Sequence, residues 1–303
     1  MKITWKGALL WSNHFYGICA VLLAIESNLI LFHKMPNIFL LLFIHLATVV
    51  YYTLAYLREA HDGVYNDRTT WYQRNAKYLL LRQILFSCLC IWIGLFKLDI
   101  FNLFFQTSLW VKCMLLLSIF ISVIYYLPKY TIFSLNLFRH NGILKSISIA
   151  LVWSMFCCFL PTWFSSGENF TQLFITYIFW NHFIFLFLFI LVLAILFDIK
   201  DLYRDKNELV HTIVSRHGIN FTIQKIIMPL IILMLLFVLV GYILQINRKW
   251  QVIINLLVLA LTYNTTKKVI HHNAIHTNIL MIDGLIIIKA LSSIVLWALM
   301  LNK

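Results

Sequence analysis

Apolar residues in this chain run in blocks of about twenty, separated by short polar links, without the alternation of a half-buried strand. Nine blocks are legible, at 8–32, 36–57, 78–97, 107–127, 143–163, 171–197, 222–245, 250–265 and 278–300. A helix rises about 1.5 Å per residue, so a block of this length matches the ~30 Å hydrocarbon layer of a bilayer. Lipid-facing strands would show period-two alternation, which is absent. The pattern therefore predicts an all-α polytopic membrane protein of about nine transmembrane helices, forming one domain over 1–303. The links are brief and contain no low-complexity or Pro/Gly-rich stretch, so no soluble domain is expected. The first block continues past Leu31, longer than the apolar core of a cleavable signal.

Composition agrees. The chain is 62% hydrophobic and 12% charged, against about 45–50% and about 25% for soluble domains. Lipid must be the solvent for much of this surface, and membrane lipids are its first partners. The net charge of +13 would point to nucleic acid on a soluble protein. Here the basic residues sit in the links, so they read as topology and nucleic-acid binding is not expected. Three of the Lys and Arg residues (Arg82, Lys112, Lys289) lie well inside blocks; of the rest, counting those at block ends with the adjoining link, sixteen fall on one set of links and five on the other. The excess places the N-terminus in the cytoplasm and the C-terminus outside, in a membrane such as the bacterial inner membrane. The six cysteines lie in or beside apolar blocks without CxxC spacing and read as small buried residues. No soluble protein partner is indicated.

Acidic residues are scarce, eleven in all, yet they concentrate at two places. Asp198, Asp201, Asp205 and Glu208 fall where the sixth block ends; Glu59, Asp62 and Asp67 fall where the second ends. Both places are on the predicted cytoplasmic side. On a continued helix, steps of three and four put Asp198, Asp201 and Asp205 on one face, with Lys200, Arg204 and Lys206 on others. Like charges so spaced cost a helix a few tenths of a kcal/mol per pair. A divalent cation would offset that, and Mg²⁺ characteristically joins one or two carboxylates to phosphate oxygens. Glu59, Asp62 and Asn66 repeat the same spacing with less charge. The alternative for either row is a solvated helix end with mixed charge. GxSxG, P-loop and GxGxxG patterns are absent, which leaves hydrolase and nucleotide-site readings unsupported.

Nine spans with acidic rows after the second and sixth resemble the UbiA superfamily of intramembrane prenyltransferases. The family's second motif, DxxDxxxD, is matched by Asp198, Asp201 and Asp205, and Thr212 and Gly218 resemble the Thr and Gly that often come after that motif in the family. The first motif, NDxxDxxxD, is altered to Arg58, Glu59, Asp62 and Asn66. Asn66–Trp71, Arg139 and Lys145 ahead of Ala150–Trp153, and Asp283-Gly284 are similar to a divergent bacterial branch. The resemblance implies a UbiA-like bundle, Mg²⁺ as cofactor, and a prenyl diphosphate and a lipophilic, aromatic acceptor as substrates. It places Asp198, Asp201, Asp205 and Asp62 in catalysis. Those residues with Glu59 and Asn66 hold metal, and Arg68, Arg74, Lys145, Arg204 and Lys206 bind diphosphate. The altered first motif also fits a catalytically degenerate relative that binds an isoprenoid or a partner.

Two other groups stand out. His271, His272 and His276 share a predicted loop, which reads as solvated. Asp283 and Lys289 lie inside the last block, where ionisable residues face the bundle. There Asp283 either pairs with Lys289, Lys112 or Arg82 to hold helices together, or serves function. In a small transporter, Asp283, Lys289 and Lys112 would line the path.

Overall fold

The computed structural model describes residues 7–61, 67–125, 142–167, 170–202, 212–269 and 275–301. It is 91% helix, without a strand among the described residues, so the backbone polar groups are satisfied by helices rather than by a barrel. The long helices in chain order are α1 (His14–Phe32), α2 (Ile38–His61), α3 (Ala76–Phe96), α4 (Leu109–Tyr125), α5 (142–166), α6 (Tyr177–Lys200), α7 (Ile219–Ile243), α8 (Lys249–Val269) and α9 (Ile275–Leu301). Among the described residues, seven helices are long and apolar enough to cross a membrane: α1, α2, α3, α5, α6, α7 and α9. They fit an integral membrane protein. The other two predicted spans, 107–127 and 250–265, correspond to α4 and α8. Helix α4 is apolar but short, and α8 carries Asn255, Asn264, Lys267 and Lys268.

Helix α6 is the most enclosed, with 78% of its apolar stretch buried, against 22% for α3 and α7. Its sequence is apolar on every side, and Phe179, Leu186, Phe189, Val192 and Leu196 are fully buried. Helices α3 and α7 instead turn Leu80, Leu81, Ile84, Leu236 and Ile243 outward. In water each such side chain would forfeit about 1.5–3 kcal/mol; against lipid tails it forfeits almost nothing.

Contacts at the helix ends show how the chain runs. At one end Lys145, early in α5, meets Asp198, late in α6, and Asn13, ahead of α1, meets Thr53 in α2. At the other, Lys34 after α1 reaches the Ser165 carbonyl in α5, and Arg248 ahead of α8 reaches His33. The acid-bearing ends of α2 and α6 thus lie at the same end of the bundle.

Two predicted boundaries move for local reasons. The block 8–32 is broken because Asn13 adopts a left-handed conformation (φ 66°) between a π-helical turn, Gly7–Trp11, and α1. Asparagine tolerates that conformation better than most residues. The block 171–197 is broken at Thr176, whose hydroxyl accepts from the Phe179 N–H and starts α6 afresh. Within α5 and α7, π-helical turns at Met155–Phe159 and Ile223–Ile227 precede Pro161 and Pro229. Proline lacks the N–H for the preceding turn and its ring crowds that carbonyl, so a wider turn relieves both helices.

Helices α1 and α2 approach closely at Gly17, where a Cβ would lie 2.6 Å from the His45 Nδ1. We expect Gly17→Ala to force the pair apart and cost about 1–3 kcal/mol, as overpacking does. The measurement is thermal denaturation of the detergent-solubilised protein, and an unchanged midpoint would contradict this packing.

Candidate functional site

The end of the bundle that carries the acids is organised around Asn13, which is fully buried. Its amide nitrogen donates to the Thr53 hydroxyl at 3.1 Å and to the Tyr72 hydroxyl at 2.7 Å. Its amide oxygen accepts from Arg68. One asparagine therefore joins the start of α1, the end of α2 and the short helix Asp67–Arg74. Tyr72 passes its own proton to the Trp11 carbonyl at 2.8 Å. Burial pushes its phenol above the ordinary value, against the opposing influence of Arg68 and the Thr53 and Asn13 hydrogen bonds, so it stays a neutral donor. Arg82, also buried, donates to the Ser12 carbonyl and the Thr53 hydroxyl.

Beside this hub lies an aromatic wall. The Arg68 guanidinium sits 3.4 Å from the Tyr56 ring centroid and 5.9 Å from that of Tyr16. Tyr16 stacks on Tyr52 at 4.7 Å, and the Tyr52 hydroxyl accepts from the Trp153 indole at 2.9 Å. Electron-rich ring faces of this kind attract cations. Asp283 is buried here within electrostatic reach of Lys200, Arg68, Tyr16 and Tyr52. Its Oδ2 has no hydrogen-bond partner among the described residues.

The second acidic row is only partly described. Asp198 is buried, its two oxygens held by the Lys145 ammonium at 2.7 Å and the Ser146 hydroxyl at 3.0 Å. Asp201 caps α6 and lies 3.1 Å from the Lys200 Nζ. This corrects the expectation that Lys200 points to another face: α6 stops at Lys200, and the side chain folds back onto the cap. Arg204, Asp205, Lys206 and Glu208 lie outside the described residues, as do Asp62, Asn66, Arg139, His271 and His272. Glu59 stands in the last turn of α2 and Asp67 opens the short helix, with their side chains outside the described set; the same holds for His276 on α9. Arg74 is exposed at the end of its helix.

Mg²⁺ prefers hard oxygens, and Asp198 and Asp201 supply them. Each faces a lysine, but Asp198 is 3% exposed and Asp201 22%, so Asp201 is the described carboxylate that an ion could reach, together with residues outside the described set. Among the described residues no three His, Cys, Asp or Glu side chains converge.

Asp283 meets none of the partners expected for it. Lys289 is six residues along the same helix, on a different face. It binds Glu26 at 2.6 Å. Lys112 donates to the Phe105 carbonyl at 3.0 Å, and Arg82 serves the hub. The residues proposed for a transport path are thus not drawn together. Sequence reasoning missed Asn13, Tyr16, Tyr52 and Glu26. Only Glu26 carried a signal, an acid inside an apolar block. No family model, curated protein or solved structure matches this chain.

Two outcomes are expected. Asn13→Gly keeps the backbone but leaves Arg68, Tyr72 and Thr53 short of a partner, costing about 1–3 kcal/mol; Asn13→Ala should cost more, because alanine resists the left-handed conformation. Thermal melts rank the two variants. Lys145→Met strands Asp198 and should cost about 3–5 kcal/mol, with much of it recovered in Lys145→Met/Asp198→Leu. A double-mutant cycle reads the coupling, and additive losses would contradict the pair.

Proposed function

We propose that this chain is a membrane-embedded prenyltransferase of the UbiA type, with nine crossings and a cytoplasmic N-terminus. It transfers a prenyl group from a prenyl diphosphate to a lipid-soluble aromatic acceptor. The observation that carries this reading is the meeting, at one end of a lipid-facing bundle, of the Asp198/Asp201 helix end, the basic residues Arg68, Lys145 and Lys200, and the ring faces of Tyr16, Tyr52 and Tyr56.

In the reaction the allylic C–O bond breaks, diphosphate leaves, and an acceptor carbon takes the prenyl group and releases a proton. Arg68 binds diphosphate oxygens, with Arg74 as a further cation at this end; Arg204 and Lys206, outside the described residues, are assigned the same role. Asp198 keeps the Lys145 ammonium aimed at the same region. Asp201 would hold Mg²⁺, with Asp205, Asp62, Glu59 and Asn66, whose side chains lie outside the described set, as its further ligands, and the ion would supply charge neutralisation for the leaving group. The tyrosine wall faces the developing allylic cation and excludes the water that would quench it. Asp283, in its carboxylate form, would accept the proton the acceptor gives up within the same region.

One observation favours a second reading. The two described carboxylates of the row already face lysines, Lys145 and Lys200. A relative that has lost turnover but still binds an isoprenoid diphosphate would use such lysine-neutralised acids.

Deleting the gene should remove one prenylated lipid from the host, read by lipid mass spectrometry. Complementation with Asp201→Asn should fail to restore it, with the protein still inserted at normal level. Unchanged lipids in the deletion would reject transfer. Purified protein that binds a prenyl diphosphate with Mg²⁺ but never consumes it would establish the second reading.

A further inference from the structure

At the end opposite the acidic row, the bundle encloses a second polar site that the prenyl-transfer reading does not use. A cavity of about 240 Å³ is lined by residues of α1, α6, α8 and α9 and of the link before α8. At its base the Glu26 carboxylate accepts from Lys289 at 2.6 Å and from the Ser293 hydroxyl at 2.8 Å. Glu26 and Lys289 are each 1% exposed. Burying two charges costs several kcal/mol per ion even after relaxation, and an apolar pair would fill the same volume more cheaply. His182, Asn181, Gln251 and Asn255 add polar groups to the wall. A void so lined, inside a bundle that faces hydrocarbon, is built for a polar occupant.

The mouth is fixed. After α7 the chain turns back over Gly241, whose carbonyl accepts from the N–H groups of Ile246 and Asn247. A Cβ on Gly241 would lie 2.2 Å from the side-chain amide nitrogen of Asn247, so the glycine lets that side chain pack against the turn. Gln245 takes the left-handed conformation that the turn requires (φ 56°). Arg248 is thereby set at the rim. Its guanidinium contacts His33 Nε2 at 2.9 Å. The His33 Nδ1 faces the Leu29 carbonyl at 3.0 Å, so it bears the proton and Nε2 accepts from Arg248. The remaining guanidinium donors have no partner among the described residues.

Depth orders the chemistry. The deep end offers a carboxylate already neutralised by Lys289, whose oxygens keep lone pairs for hydroxyl donors. A further cation there gains little. The rim offers a forked guanidinium, which suits paired phosphate oxygens. The two cations against one carboxylate leave a single positive charge, matched to a monoanion. Ile30, Leu31 and Ile178 flank the opening, and Ile243 and Leu244 stand exposed nearby. We propose that this cavity binds a phosphoglycerol head: a phosphodiester monoanion on Arg248, with free hydroxyls reaching Glu26 and Ser293. The apolar rim favours a lipid as its source over a soluble phosphodiester.

Native mass spectrometry of delipidated wild-type protein in detergent tests this with phosphatidylglycerol, phosphatidylethanolamine, phosphatidic acid and soluble glycerophosphoglycerol. Phosphatidylglycerol should bind about tenfold more tightly than the other two lipids, and Arg248→Ala should lose about tenfold for it. Ser293→Ala should narrow the preference for phosphatidylglycerol over phosphatidic acid. Lys97→Ala, which removes another cation at the same end, should change nothing. Soluble glycerophosphoglycerol binding as well as the lipid would retain the head chemistry and make the source soluble. The proposal is overturned if phosphatidylethanolamine or phosphatidic acid binds equally, or if Lys97→Ala costs as much as Arg248→Ala. Melting temperatures establish that each variant is folded. None of these outcomes depends on prenyl transfer, so each reading fails or stands separately.

Discussion

Hydrocarbon offers no hydrogen bonds, so a polar group that leaves water with this chain must find its partner inside the bundle or remain unpaired at a cost of several kcal/mol. The packing obeys that demand. Hydroxyls in the helices turn back onto carbonyls of the preceding turn, as Thr48, Ser154, Thr262 and Thr266 do. Larger polar side chains reach across helices instead. Asn13 gathers α1, α2 and the short helix after it; Lys145 and Asp198 clamp α5 to α6; Glu26 and Lys289 join the first long helix to the last. Apolar packing between helices is weakly discriminating when the solvent is itself apolar. These polar contacts are therefore what fixes neighbours and register.

The same demand separates the molecule into two polar ends with different characters. The end with Asp198 is basic and aromatic: Arg68 lies against Tyr56, and one oxygen of Asp283 has no hydrogen bond among the described residues. An unpaired buried carboxylate oxygen beside ring faces is costly, and such costs persist where a site uses them. The opposite end is rich in amides and enclosed, with its ion pair at the base and its arginine at the rim. The prenyl-transfer proposal rests on the first arrangement. The second suits recognition of a head with donors at one depth and an anion at another.

The engagement of Asp198 with Lys145 changes how the acidic row is understood. Spacing alone makes Asp198, Asp201 and Asp205 equivalent. Tertiary packing separates them: Asp198 lies within the helix and inside the bundle, whereas Asp201 sits at the cap where the helix stops. Asp198 pairs with Lys145 inside the bundle, and Asp201 pairs with Lys200 at the helix end. Of the two described carboxylates in the motif, one is a buried anchor and the other stands at a helix end.

Hydrophobic block length determined the helical class and seven of the spans, because matching a bilayer requires only a run of apolar residues and no knowledge of neighbours. The concentration of acids after the second and sixth blocks was legible for the same reason: charge is rare here and stands out. The breaks at Asn13 and Thr176 were not legible, since each depends on one side chain's local conformation. Nor were the partners. Lys289 chooses Glu26, 263 positions away, and Asp283 is left beside the tyrosines, because six residues of helix turn their side chains to different faces. Sequence tells which groups must be paired in lipid; only the crossing of helices decides with what.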